Sequence, residues 1–97
     1  MRVQLKLYGV FRSAASTSSL TFEIPENERT VKSAIERIFA QGEFGTLRSL
    51  LMDSTTSDPR PNALIMVSGR EINTLRGLET ELTEGDELAL LPVAHGG

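Results

Sequence analysis

The chain closes on His95-Gly96-Gly97, where the available chemistry is that of a carboxylate on an unhindered backbone. Neither glycine carries a Cβ, so the last two peptide units can lie in a slot too narrow for any side chain. α-Carboxylates are ionised at neutral pH and react only after activation. An enzyme with a narrow channel could thread such a tail and activate Gly97 for acyl transfer. The competing reading is a frayed end that happens to finish in glycine.

The rest of the composition narrows the choice. Cysteine is absent, which excludes disulfides, thiolate metal sites and thiol nucleophiles. If the chain carries sulfur or a thioester, the Gly97 carboxylate is the group left to hold it. His95 is the sole histidine; without partners it makes no metal site and reads as a polar tail residue or a contact in a partner's channel. The acidic residues Glu79, Glu81, Glu84, Asp86 and Glu87 cluster around turns and read as a solvated face. The Ser/Thr-rich stretch 13–19 has no neighbouring base and cannot form a triad. Lys6 and Lys32 are the two side-chain amines able to accept another copy of the chain.

The elements that must position the tail are legible from periodicity. Residues 2–8 alternate, with Val3, Leu5 and Leu7 on one face and Arg2, Gln4, Lys6 and Tyr8 on the other, predicting a half-buried strand. Residues 13–19 read as a loop, and 20–24 as a second strand completing a hairpin. Val31, Ala34, Ile35, Ile38 and Phe39 form a helical stripe, with Thr30 as N-cap and Gly42 as terminator. Leu47, Leu50 and Leu51 predict a shorter helical turn, and 53–61 a loop. The apolar run 62–67 predicts a strand buried on both faces, followed by a turn at Ser68-Gly69. Residues 71–78 read as a surface crossover. A final strand over 87–91 sets Leu88 and Leu90 against Glu87, Ala89 and Leu91 before Pro92. The order predicts an α+β domain over 1–97, a mixed sheet with one main helix on one face, and 92–97 as a flexible tail.

With 97 residues, 39% hydrophobic and 24% charged, the chain has the composition of an ordinary soluble domain. A net charge of −3 without a basic stripe argues against direct nucleic-acid binding. No apolar run is long enough for a membrane span, and the alternating start is not a signal peptide; a cytoplasmic location is the expectation. Tyr8 and Leu91 on the sheet's solvent face, with Leu75 in the crossover nearby, form a candidate partner-binding patch.

The element order and the closing segment Gly85 to Gly97 resemble the ubiquitin-like sulfur carriers. That group includes the molybdopterin synthase small subunit, the thiamine sulfur carrier, the archaeal ubiquitin-like modifiers and the ubiquitin-related modifier. Leu7-Tyr8 with Phe11-Arg12 is similar to the family's first strand and following loop, and Leu82 to Glu87 to its turn into the last strand. The His95-Gly96-Gly97 ending resembles the ubiquitin-related modifier; Leu90 to Ala94 resembles the molybdopterin group, without its usual aromatic residue at Leu91 and adjacent prolines.

The resemblance implies a β-grasp fold. It also implies adenylation of Gly97 by a ubiquitin-activating-like enzyme using ATP and Mg, and conversion to a thiocarboxylate by a persulfide donor. Tyr8, Leu75 and Leu91 match the surface that meets the activating enzyme, and Gly96 and His95 belong to the tail that carries Gly97. Further implied partners are the molybdopterin synthase large subunit, a tRNA thiolation enzyme, or lysines of target proteins. The chain would then be a carrier that binds no cofactor itself and is not an enzyme. Two alternatives stand beside this: a modifier conjugated through Gly97 to target lysines, and an interaction domain without tail chemistry.

Overall fold

The computed structural model describes residues 1–93. Strand β1 (Arg2–Leu7) follows its alternation: Val3, Leu5 and Leu7 are buried, and Arg2 and Gln4 are exposed. Strand β2 (Ser19–Glu23) pairs antiparallel with it, Arg2 opposite Glu23 and Lys6 opposite Ser19. On its other side β1 runs parallel to β5 (Glu87–Pro92), Gln4 opposite Glu87 and Leu7 opposite Leu90. Strand β5 pairs antiparallel with β3 (Ala63–Val67), which pairs with β4 (Arg70–Glu71). The sheet order is β2-β1-β5-β3-β4, a β-grasp arrangement.

The helix α2 (Val31–Ala40) forms where the stripe places it. The Thr30 side chain accepts the Ser33 N–H at 3.1 Å, satisfying one of the unpaired donors of the first turn. Beyond the helix, Gly42 takes φ +76°, a conformation that suits glycine. Val31, Ala34, Ile35 and Ile38 pack on the inner face of the sheet, joined by Leu47 and Leu51 of α3 (Gly45–Leu51).

Three expectations need correction. Residues 13–19 are not all loop: a helix α1 (Gly9–Ala15) follows β1 and ends at Ser16, φ 57°. It packs against α3 and β5 and buries Phe11, its one large apolar residue toward the core. A single anchor among small residues gives no helical period to read. Second, β3 is covered on one face only. Ala63, Ile65 and Val67 are buried, whereas Leu64 is 38% exposed and Met66 partly so, because all the helices that could cover it lie on the other side. Third, β5 includes Pro92, paired with Ala63 at the last rung, where the missing N–H is tolerated. The structure also adds β4, formed because Ser68 (φ 46°) and Gly69 (φ 84°) make a tight two-residue hairpin. The crossover carries two short 3₁₀ turns, Ile72–Thr74 and Gly77–Glu79, with Ile72 buried.

The 53–61 loop is closed by its own polar groups. The Asp53 carboxylate accepts the Thr55 and Thr56 N–H groups at 3.1 and 2.9 Å and the Thr56 hydroxyl at 2.9 Å. Asp58 accepts from both Nε and Nη2 of the Arg60 guanidinium, the shortest of the three bonds at 2.6 Å. The Thr56 N–H is the main cause holding the Asp53 carboxyl below its ordinary value, and the Arg60 side chain does the same for Asp58. A carboxyl depressed on folding contributes stability above its unfolded-state value, and that contribution is lost as pH falls through the folded-state value. The loop should therefore be intact at neutral pH and loosen below about pH 4. Amide exchange at Thr56 followed by NMR across an acid titration checks this, and Asp53→Asn should flatten the response.

Candidate functional site

The site is the place where β5 leaves the sheet. Leu91 lies opposite Leu64 and Pro92 opposite Ala63. One step further, the Val93 N–H donates to the Asn62 carbonyl at 3.1 Å. The Asn62 side chain in turn donates to the Leu51 carbonyl at 3.0 Å, so the loop between α3 and β3 holds the departing strand. From the other side comes the start of α1. Gly9 has φ +54°, and a Cβ built there would lie 2.8 Å from Pro92 Cγ. Glycine is required here twice over, for the left-handed backbone and for the close approach of Pro92.

Apolar side chains collect around this exit. Tyr8 does not belong to β1; it precedes α1 with extended backbone (φ −128°, ψ 157°), and its carbonyl accepts from Phe11 and Arg12. Leu7 and Leu90 are the last β1–β5 pair; Tyr8 follows the one and Leu91 the other, and Leu91 lies opposite Leu64 on β3. Tyr8 is 44% exposed and Leu91 half-buried; Val10 and Val93, flanking Gly9 and Pro92, are exposed at 54% and 42%. Large exposed hydrophobics on one contiguous surface mark a docking site more than scattered ones do. The rest of the same sheet face is polar. Arg2 lies 3.3 Å from Glu23, and Lys6 lies 3.8 Å from Glu87.

Tyr8 and Leu91 thus each follow the last β1–β5 pair. Leu75 is half-buried at the end of the 3₁₀ turn Ile72–Thr74, outside any strand, so the strand register does not set it against them. Leu64 is the member that sequence reasoning missed. The signal was available: one layer of helices covers one face of a sheet, so alternate residues of an apolar strand must look outward. His95, Gly96 and Gly97 lie outside the described residues.

Elsewhere the described residues offer little chemistry of their own. No group of three or more His, Asp or Glu gathers to hold a metal ion among them. A cleft between α2 and the 53–61 loop holds about 50 Å³, far below an ordinary ligand pocket. The shifted titrations among the described residues, at Asp53, Asp58 and Arg60, all belong to the loop and not to the exit. No described helix is long and apolar enough to cross a membrane.

A protein-family model described as the ThiS family matches residues 5–97. The chain belongs to that family. It is similar to small archaeal modifier protein 3 of Haloferax volcanii, with 24% identity over 97 residues covering all of both chains. It is also similar to an Archaeoglobus fulgidus protein whose name is that of a sulfur carrier. That match is 31% identical over 86 residues, 89% of this chain and 94% of the other. Among solved structures, small archaeal modifier protein 1 from Methanosarcina acetivorans superposes with a TM-score of 0.82 at 25% identity, covering 99% and 96% of the two chains. These likenesses place the ThiS-family chain among ubiquitin-like carriers and modifiers with the β-grasp fold.

The Gly9–Pro92 approach makes a direct test of the exit geometry. Gly9→Ala should cost about 2–3 kcal/mol, from left-handed strain and overpacking together. Adding Pro92→Ala should recover the overpacking share while leaving the backbone strain. Urea unfolding of the single and double variants measures both, and strictly additive losses would show that the two residues do not press on each other.

Proposed function

We propose that this ThiS-family chain is a sulfur carrier whose Gly97 carboxylate is the reactive end. The observation that carries the reading is the apolar collar of Tyr8, Leu64 and Leu91 at the point where β5 gives way to the Gly-Gly ending. A ubiquitin-activating-like enzyme docks on that collar and receives the tail in its channel. There the carboxylate oxygen attacks the α-phosphorus of ATP, held with Mg by the partner, and pyrophosphate leaves. A persulfide sulfur of a donor protein then attacks the acyl carbon, and AMP leaves. A second thiol cleaves the resulting acyl disulfide, which yields the thiocarboxylate and a protein disulfide. The carrier supplies no catalytic side chain and holds no cofactor; it has no cysteine with which to compete for the sulfur. Molybdopterin synthesis and tRNA thiolation are the sulfur's destinations in this reading.

A second reading is favoured by the full-length similarity to a protein named as a modifier. Here the activated Gly97 carbonyl meets a lysine amine of a target protein and forms an isopeptide bond. Both readings share the adenylated intermediate and part at the nucleophile.

Incubation with an activating enzyme, ATP, Mg and a persulfide donor should produce an oxygen-for-sulfur mass change at Gly97, read by intact-protein mass spectrometry. Leu64→Asp should raise the KM for the carrier about tenfold or more, by placing a charge in the apolar contact, with kcat nearly unchanged. Removal of Gly97 should abolish pyrophosphate release. An unmodified mass with every donor tested, together with an intact cellular role after deletion of Gly97, would favour a plain interaction domain instead.

A further inference from the structure

The chain offers few amines, and the fold treats them differently. The Met1 nitrogen donates to the Ile24 carbonyl at 2.6 Å and lies 3.8 Å from Glu23, with the Met1 side chain almost wholly buried. Lys6 lies on the sheet face within 3.8 Å of Glu87 and is half-buried. Lys32 is the more exposed of the two lysines, and it has no hydrogen bond or ion pair among the described residues.

From this inventory we infer that Lys32 is a self-modification site, the acceptor through which a second copy of this chain is attached by its Gly97. The inference rests on the modifier reading and specifies its acceptor. Two further observations support it. Lys32 is the second residue of α2, on the helix layer that covers the inner face of the sheet. A copy joined there leaves the collar of Tyr8, Leu64 and Leu91 open, whereas a copy joined at Lys6 would stand on the docking face itself. The first turn of α2 contains no acidic residue, so Lys32 sets a positive charge against the positive end of the helix dipole. Acylation removes that charge, and modification relieves a repulsion where it might have broken an ion pair.

The step balances without other reagents. The neutral Lys32 amine attacks the Gly97 carbonyl carbon of the acyl-adenylate. The C–N bond forms as the C–O bond to AMP breaks, AMP leaves with the electron pair, and the amine proton passes to solvent.

The acceptor can be tested apart from the activating enzyme. The full chain prepared with Gly97 as a thioester, by intein cleavage, is mixed with unmodified full chain at mildly alkaline pH. Trypsin then reports the branch point. Arg76 is the last basic residue, so the donor leaves residues 77–97 on the acceptor peptide. The expected product is peptide 30–37 branched at Lys32, in several-fold excess over peptide 3–12 branched at Lys6. Predominant branching at Lys6 or Met1, or the even distribution seen in a urea-unfolded control, would overturn the inference. With the activating enzyme present, Lys32→Arg should keep ATP–pyrophosphate exchange unchanged and lose the self-conjugate; a self-conjugate that persists overturns it. Absence of exchange in the parent chain would sink the activation reading, while the thioester experiment would still decide the lysine.

Discussion

Leu5 and Leu7 of β1 lie beside Leu88 and Leu90 of β5 in parallel register at the centre of the sheet. A hairpin cannot close a parallel pair, so the chain between them must pass over the sheet before it returns. That passage supplies α2 and α3, whose apolar residues meet the inward side chains of both strands. The helices sit on one side, because one layer suffices to bury one face. The bare outer face is thus a result of the central pairing and not a separate device. On that face the strand ends nearest the exit carry the apolar side chains, and the rest carries the charges.

The same pairing decides where β5 leaves the sheet, which on the proposed sulfur-carrier reading is where the reactive tail begins. Strand β5 is flanked by β1 and β3, so it is held on both edges until Pro92. Asn62 and Gly9, from opposite sides, then bracket the last residues described. The chemistry requires little of the domain beyond this. A carboxylate that is activated elsewhere needs a rigid mount, a surface by which its mount is recognised, and no internal thiol to intercept the sulfur. On the proposed reading the sheet is the mount, the patch of Tyr8, Leu64 and Leu91 is the surface, and the sequence contains no cysteine.

Some of this was legible in the residues and some was not, for definable reasons. The α2 stripe and its Thr30 cap are local signals, and the structure repeats them residue for residue. The alternation of β1 is equally local, and so is the chemical potential of a Gly-Gly ending. The exposure of Leu64 is not local: the run Asn62 to Val67 reads the same whether one face or two are covered, and only the count of helical layers decides. Helix α1 escaped because Phe11 is its one large anchor. The fit of Gly9 against Pro92 joins the two ends of the chain, and no window of sequence contains both. Leu75 was grouped with Tyr8 and Leu91 as a large residue of the crossover near the sheet face, and it belongs to no strand whose register could place it.

The parallel arrangement of β1 and β5 has a mechanical side. The start of β1 and the end of β5 point in opposite directions along neighbouring strands. Tension applied between Met1 and Val93 therefore loads the ladder between them in shear, so that its hydrogen bonds must yield together. Tension across a hairpin such as β3–β4 would open it one bond at a time. A domain drawn by its tail while its beginning is anchored would resist as a clamp, whereas one held by α2 would load a different set of contacts. The point of attachment, as much as the number of bonds, would set how readily such a chain is pulled apart.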